Sequence, residues 1–211
     1  MTSLSRRAFV TASAAALLTG CGGGNGTSSA ANSPSNQGSS QQGSPAPSAG
    51  SGTKVVHALA RSVPVTLRVP AIGVDTPVMR LGLASDGTVQ VPPITAHDRA
   101  GWYRYSPTPG ATGPSVILGH VTVGAYGDGV FRHLARLRAG NRIDVVLENG
   151  TTAAFAVTEV RTVAKADFPS DEVYGNVNRP ELRLITCGGT RTGSGYLDNV
   201  IVFAVLTAAS P

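Results

Sequence analysis

The chain has 211 residues, a formal net charge of +5, 14% charged residues, 26 glycines, 14 prolines and only two cysteines. That length holds one domain with its own core and is short for two. A small positive excess without a basic cluster interleaved with aromatics argues against nucleic-acid recognition, and acylation of one of the two cysteines, Cys21, would exclude a disulfide-stapled fold.

The first residues read as an address. Ser5-Arg6-Arg7-Ala8-Phe9-Val10 is a twin-arginine start, and the apolar stretch that follows, AFVTASAAALL, is too short to remain as a spanning helix. Leu18-Thr19-Gly20-Cys21 then resembles a bacterial lipobox, which implies cleavage before Cys21 and acylation of that residue; an ordinary secretory peptide cut nearby is the alternative. Residues 1–20 are therefore read as a signal peptide, and Cys21 as a lipid anchor that holds the protein at the extracytoplasmic face of the bacterial cell membrane. Residues 21–62 are the lipidated N-terminus and a linker, whose uncharged Gly, Ser, Pro, Asn and Gln at 22–53 cannot build a core and act as a flexible tether. Residues 63–211 are the folded domain. Without Arg6 and Arg7 the net charge of +5 falls to +3, compatible with work near anionic lipid or wall polymer.

Short β-branched runs punctuated by Gly, Pro, Asp and Asn follow one another through that domain. The pattern predicts strands over 65–69, 116–119, 142–148, 152–163, 182–187 and 199–206. Between them, 129–137 places Val130, Leu134 and Leu137 on one helical face, and DFPSDEVYG allows a second turn or short helix. The segment VPAIGVDTPVMRLGLASDGTVQVPP reads as turns, with Asp75 a solvated turn carboxylate, and Trp102 and Tyr103 read as wall residues. Many strands and little helix predict a mainly β, closed or nearly closed barrel, because closure protects strand edges. Gaps too short for crossover helices argue against parallel βαβ architecture.

The chemistry concentrates in two places. LRLITCGGT at 182–190 puts Cys187, the one cysteine of the folded region, where an apolar run meets glycines, and SVILGHVTVGAYGDGVF at 115–131 puts His120 after a similar run. If Cys21 is acylated, Cys187 has no disulfide partner, and an unpaired thiol outside the cytosol is either buried or used. Acyl transfer needs a thiolate, a proton carrier and oxyanion donors; Cys187 and His120 fill the first two roles. Gly188 and Gly189 leave room beside the sulfur, Thr186 is either a groove hydroxyl or a strand end, and Tyr126 in the loop beyond His120 either covers the groove or packs on the rim. His97 is a candidate groove residue. His57, His97 and His133 lack partners at ligand spacing, so no metal or other cofactor is expected.

Five blocks in order, VPAIGVDTPV, VILGHV, GVFRHLARLRAGNRI, LRLITCGGT and GYLDNVIVFA, make the chain resemble a sortase from Val65 to Leu206, specifically the actinobacterial class F branch. The resemblance implies a closed eight-stranded barrel with short helices and 3-10 turns, and a cysteine transpeptidase with Cys187 as nucleophile and His120 as general acid and base. It implies cleavage of a Leu-Pro-x-Thr-Gly-like C-terminal signal after threonine, a thioester acyl-enzyme, and transfer to a peptidoglycan precursor or other amine, with hydrolysis as a side reaction. The partners are then surface proteins bearing that signal, the wall amine and the membrane, and the economical state is a monomer. The arginine that such enzymes carry on the strand after the cysteine is missing: Leu197 or Asn199 stands in its place, and no arginine follows Arg191. Arg191 is therefore the candidate oxyanion donor, and Asn199 with Thr186 or backbone amides the alternative.

Three other readings compete. An L,D-transpeptidase places its histidine and cysteine close together, unlike this chain. A cysteine peptidase shares the acyl-enzyme and differs in the nucleophile that resolves it. A degenerate barrel that only binds surface molecules keeps the pocket and loses the chemistry.

Overall fold

The computed structural model describes residues 56–193 and 195–211; the twin-arginine segment, Cys21 and most of the tether lie outside the described residues. The strands are β1 (Pro64–Val69), β2 (Val74–Leu81), β3 (Ala100–Tyr103), β4 (Gly113–Leu118), β5 (Thr122–Val123), β6 (Gly127–Asp128), β7 (Arg142–Leu147), β8 (Thr152–Ala164), β9 (Pro180–Thr192) and β10 (Gly195–Ser210). Eight of them close a barrel in the order β1-β2-β3-β4-β9-β10-β8-β7, while β5 and β6 form a separate two-stranded hairpin. Short 3-10 turns and one five-residue helix, α1 (Ser170–Tyr174), complete it, so the expected mainly β eight-stranded barrel is the fold observed.

Alternation along each strand separates an inside from an outside. Leu182, Leu184, Val200, Val202 and Ile117 point into the main core with Trp102, Phe131 and Phe155, all buried. Val116, Ile185, Ile201 and Phe203 point outward into a second apolar cluster, which Tyr103, Leu118, Val163 and Phe168 border and to which α1 contributes Val173. This outer cluster lies under the connection between β8 and β9.

Several elements differ from the sequence expectation for local reasons. The segment after β1 holds a complete strand, β2, despite Pro77: its residues alternate between buried Val74 and Thr76 and exposed Asp75 and Pro77. Asp75 faces solvent, paired with Arg68 at 3.4 Å. The stretch 129–137 is a turn followed by a 3-10 turn over Leu134–Arg136, not a continuous helix, although Leu134 and Leu137 are both buried as the periodicity required. The barrel contains two parallel pairings, β2 with β3 and β4 with β9, without a βαβ helix between them. Ahead of residue 63, Leu59 already packs against the core, and its N–H donates to the Gly110 carbonyl at 2.8 Å.

Candidate active site

β4 and β9 run parallel with every partner 67 positions apart, from Gly113 opposite Pro180 to Leu118 opposite Ile185. The Gly119 N–H still donates to the Ile185 carbonyl at 3.1 Å, so the pairing extends past the strand end. Two further steps along the same register set His120 level with Cys187. Paired residues of a parallel ladder share a face, and Leu118 and Ile185 both lie in the outer cluster. His120 and Cys187 therefore stand on the outer face of adjacent strands, which are spaced about 4.8 Å apart. On the other side of Cys187, β10 places Asn199 directly opposite it, on the face that Ile201 and Phe203 share. His120, Cys187 and Asn199 thus form one row across three neighbouring strands.

Arg191 sits elsewhere. Between Asp198 opposite Gly188 and Tyr196 opposite Arg191, β9 has one more residue than β10, a β-bulge that contains Gly189 in the left-handed region at φ 71°. Each extra residue in a strand reverses which face the following side chains take. Arg191 consequently shares its face with Tyr196, opposite to that of Cys187, and it is exposed. Leu197 keeps the parity of Asn199 and is 52% exposed on the Cys187 side. Thr186 points the other way, buried to 4%. Gly188 and Gly189 are required by close approach: a Cβ on Gly188 would lie 2.6 Å from the Val200 side chain, and one on Gly189 would collide with the Asp198 carboxylate.

His120 is fixed by main chain. Its Nε2 lies 2.6 Å from the Pro92 carbonyl oxygen; a carbonyl has no proton to give, so Nε2 carries the hydrogen and the neutral ring keeps its lone pair on Nδ1. Pro92 belongs to the β2–β3 connection, which interlocks with the segment beyond His120. The Phe131 N–H donates to the His120 carbonyl at 2.8 Å, Gly129 N–H to Val121 at 2.9 Å, and Val130 N–H to His97 at 2.9 Å. The His97 ring packs against Tyr126 with centroids 5.4 Å apart, so these two sequence candidates meet each other at the rim. Tyr126 itself is 52% exposed.

From this row a chain of aromatic rings runs along the border of the outer cluster. Tyr103 meets Tyr105 and Tyr174 edge-on, with centroids 5.7 and 6.2 Å apart, and Phe168 packs against Tyr174. Burial, then the neighbouring Tyr103, pushes the Tyr174 hydroxyl above its ordinary pKa, so it stays a neutral phenol through the physiological range. The wall that carries Tyr174 is tied to β9. The Arg183 side chain, 3% exposed, lies over the Phe203 ring, donates to the Glu172 carbonyl at 3.3 Å and pairs with Glu181 at 2.5 Å. Burial alone would raise the Glu181 carboxyl, but hydrogen bonds and charge from Arg179 and Arg183 outweigh it and hold the group below its ordinary value. Sequence reasoning missed Tyr105, Phe168, Tyr174 and the Pro92 carbonyl; the period-two spacing of Arg183, Ile185 and Cys187 is the signal that would have marked one shared face. Among the described residues no group of three or more His, Cys, Asp or Glu side chains is placed to hold a metal ion.

The family model described as a sortase domain matches residues 67–207. Among solved structures, the SrtA sortase from Actinomyces oris is 25% identical with a TM-score of 0.54, over 76% of this chain and 89% of that one. Sortase C-1 from the same organism is 21% identical, TM-score 0.53, over 69% of this chain and 75% of that one. A Sortase D5 transpeptidase from Clostridium perfringens is 22% identical, TM-score 0.51, over 69% and 79%. No curated protein matches the chain.

Proposed function

This chain belongs to the sortase family, whose general activity is transpeptidation or hydrolysis through a barrel of this kind, and we propose that it cuts a Leu-Pro-x-Thr-Gly-like sorting signal after threonine and passes the acyl group to an amine of the cell wall. The observation that carries this reading is the row of His120, Cys187 and Asn199 at one level, at the end of the outer apolar cluster. The leucine and proline of the signal pack against the exposed rings of Tyr105 and Tyr174 at the border of the outer cluster, which sets the threonine carbonyl over the sulfur. The Cys187 thiolate attacks that carbonyl, and imidazolium protonates the departing glycine amine. With Nε2–H held by Pro92, Nδ1 is the nitrogen that moves the proton. Asn199, rather than Arg191, donates its side-chain amide to the oxyanion together with backbone N–H groups, because it shares the face of Cys187 and Arg191 does not.

The class F assignment rests on the five sequence blocks in their order, with the departure that no arginine stands in Tyr196-Leu197-Asp198-Asn199-Val200. The membrane position rests on the twin-arginine segment and Cys21: lipidation there would tether residues 63–211 at the extracytoplasmic surface through the linker. Surface proteins with the sorting signal would be the donors and a peptidoglycan precursor the acceptor.

A second reading, an enzyme that mainly hydrolyses, is favoured by one observation: Leu197 and Asn199 put no cation on the face of Cys187 in β10. The test is intact-mass spectrometry of residues 53–211 with a pool of Leu-Pro-x-Thr-Gly-like peptides and an amine, beside Cys187→Ala and His120→Ala. A thioester adduct and a ligated product, both absent from Cys187→Ala, support transpeptidation. An adduct that yields only the free acid supports hydrolysis. A folded barrel without any adduct overturns both in favour of a binding module.

A further inference from the structure

The outer face descends from the nucleophile in rows. Val163, Asn199 and Cys187 stand level across β8, β10 and β9; the next row on that face is Arg161, Ile201 and Ile185, and the one after it Glu159, Phe203 and Arg183. Two cations thus reach Phe203 from the two neighbouring strands. The guanidinium carbon of Arg161 lies 4.3 Å from the ring centroid and that of Arg183 4.6 Å. A guanidinium over an aromatic ring is attracted by its quadrupole, and the stacking orients each planar fork.

Both forks end on one residue of α1. Arg161 Nη1 and Nη2 donate to Glu172 Oε1 and Oε2 at 3.2 and 2.6 Å, a two-pronged pair, while Arg183 Nε and Nη2 each donate to the Glu172 carbonyl at 3.3 Å. The remaining nitrogens are held from the sheet: Arg161 Nε lies 2.9 Å from Glu159 Oε1, and Arg183 pairs with Glu181. Hydrogen bonds from Arg161 keep the Glu172 carboxyl below its ordinary value, so the pair is charged at neutral pH. Glu172 is therefore fastened to β8 by its side chain and to β9 by its main chain. Next to it Val173, fully buried, sits in the outer cluster, and Tyr174 follows as one of the exposed rings. A five-residue helix is too short to persist on its own, so these contacts set its place.

We propose that Arg161 is a positioning residue for the sorting signal: with Glu172 it clamps α1 to the sheet and so holds the Tyr174 ring where the leucine of the signal binds. The proposal deepens the sorting-signal reading and rests on it. In an extended peptide that leucine stands three residues, about 10 Å, before the threonine, and the Glu159–Phe203–Arg183 row stands four residues, about 13 Å, from Cys187. The clamp lies at the leucine end of the site and out of reach of the sulfur. It acts on how tightly and how selectively the peptide binds, and the bond-breaking step is left to His120 and Cys187. Arg183 is buried, whereas the Arg161 side chain is 30% exposed and can be exchanged without opening the core.

The experiment uses the full extracytoplasmic chain with Arg161→Met, which keeps an unbranched chain over Phe203 and removes the fork, with Glu172→Ala, and with both together. Release of the leaving peptide is followed with a Leu-Pro-x-Thr-Gly-like peptide and with its counterpart carrying alanine for leucine. Each single variant is expected to raise KM for the leucine peptide about fivefold, the upper end for an ion pair this exposed, with little change in kcat. The preference for leucine over alanine falls by the same factor, and the double variant loses no more than either single one. Amide hydrogen exchange over residues 170–175 quickens in all three. A folded Arg161→Met with wild-type KM and wild-type leucine preference overturns the proposal even if its thermal midpoint has dropped, since a mere brace lowers the midpoint without touching selectivity. Losses that add in the double variant, or exchange over 170–175 at the wild-type rate, overturn it as well. A wild type that releases no leaving peptide takes down the sorting-signal reading and the leucine preference with it, while the exchange rates still decide whether Arg161 holds α1.

Discussion

Gly129 tests whether the position of His120 sets the rate. Its φ is not in the left-handed region, so alanine there meets no backbone strain; it meets His120. A Cβ would lie 2.3 Å from the His120 carbonyl oxygen, 2.5 Å from its carbonyl carbon and 2.7 Å from its Cβ, whereas ordinary contact begins at 3.4 Å. The obstacle is main chain rather than the flexible end of a side chain, so the two segments must part by about 1 Å. The ring is held on its far side by Pro92, and the backbone of Gly119 by β9, so the shift is taken up in the separation of ring and sulfur. A displacement of that size costs about 100-fold in rate, or about 2.7 kcal/mol of barrier. Overpacking of this kind also costs about 1–3 kcal/mol of stability, a fall in thermal midpoint of about 2–12 °C. The assay is single-turnover acyl-enzyme formation followed by intact mass, well below the unfolding transition. Gly193→Ala is the control, because its Cβ would point into open space and its φ is likewise outside the left-handed region. Wild-type acylation by a folded Gly129→Ala would refute the argument that His120 is the proton carrier fixed by this packing.

Asn199→Ala should lower turnover by about 100-fold, the cost of one oxyanion donor, while Arg191→Ala should change it far less; kcat measured on the sorting peptide decides between them. Leu197→Arg returns a cation to the face of Cys187 and, since a charged donor is roughly twice as strong as a neutral one, should raise acylation about tenfold; no gain would count against the parity argument. Glu181→Ala strands the buried Arg183 and should cost about 3–5 kcal/mol at neutral pH by denaturant unfolding. The Glu181 carboxyl is depressed in the folded state, so its contribution is fully present above its unfolded value of about 4.5 and is lost as pH falls through the lower folded value; the wild type should lose this increment below pH 4.5, and the variant should lack that slope.

A mainly β closed barrel and the approach of His120 to Cys187 were legible in short-range patterns, whereas the count of eight strands came from the family resemblance, since the pattern marked six. The apolar run before His120 does end with β4 at Leu118, whereas the run before Cys187 does not end at 187 as its pattern predicts: β9 continues to Thr192 and Cys187 lies within it; the separation of 67 positions between the two residues is the register of β4 on β9. β2 was hidden because Pro77 sits inside it and because its outward residues break the alternation after Thr76. The helix expected at 129–137 failed for a different reason: Leu134 and Leu137 must enter the core while Phe131 N–H stays bonded to His120, and only a tighter turn satisfies both. The place of Arg191 turned on a single extra residue. Counting along β9 with strict alternation keeps Arg191 on the face of Cys187, and the bulge at Gly189 reverses it. Nothing in composition or period announces a bulge beyond the glycines themselves, which read equally well as space beside the sulfur.

That bulge also decides which groups face the sulfur. It leaves Arg191, the only arginine after Cys187, on the opposite face beside Tyr196, whose hydroxyl lies 2.6 Å from Thr122 Oγ1. On the Cys187 side β10 then offers Asn199 and Leu197, neither of them charged. In the proposed mechanism the step that suffers is acylation, which builds negative charge on the carbonyl oxygen. Leu197→Arg and Asn199→Ala act on that one step in opposite directions, so the double variant should depart from the sum of the two single effects, because both side chains address the same oxyanion. A double variant whose acylation rate equals that sum would count against a shared oxyanion site.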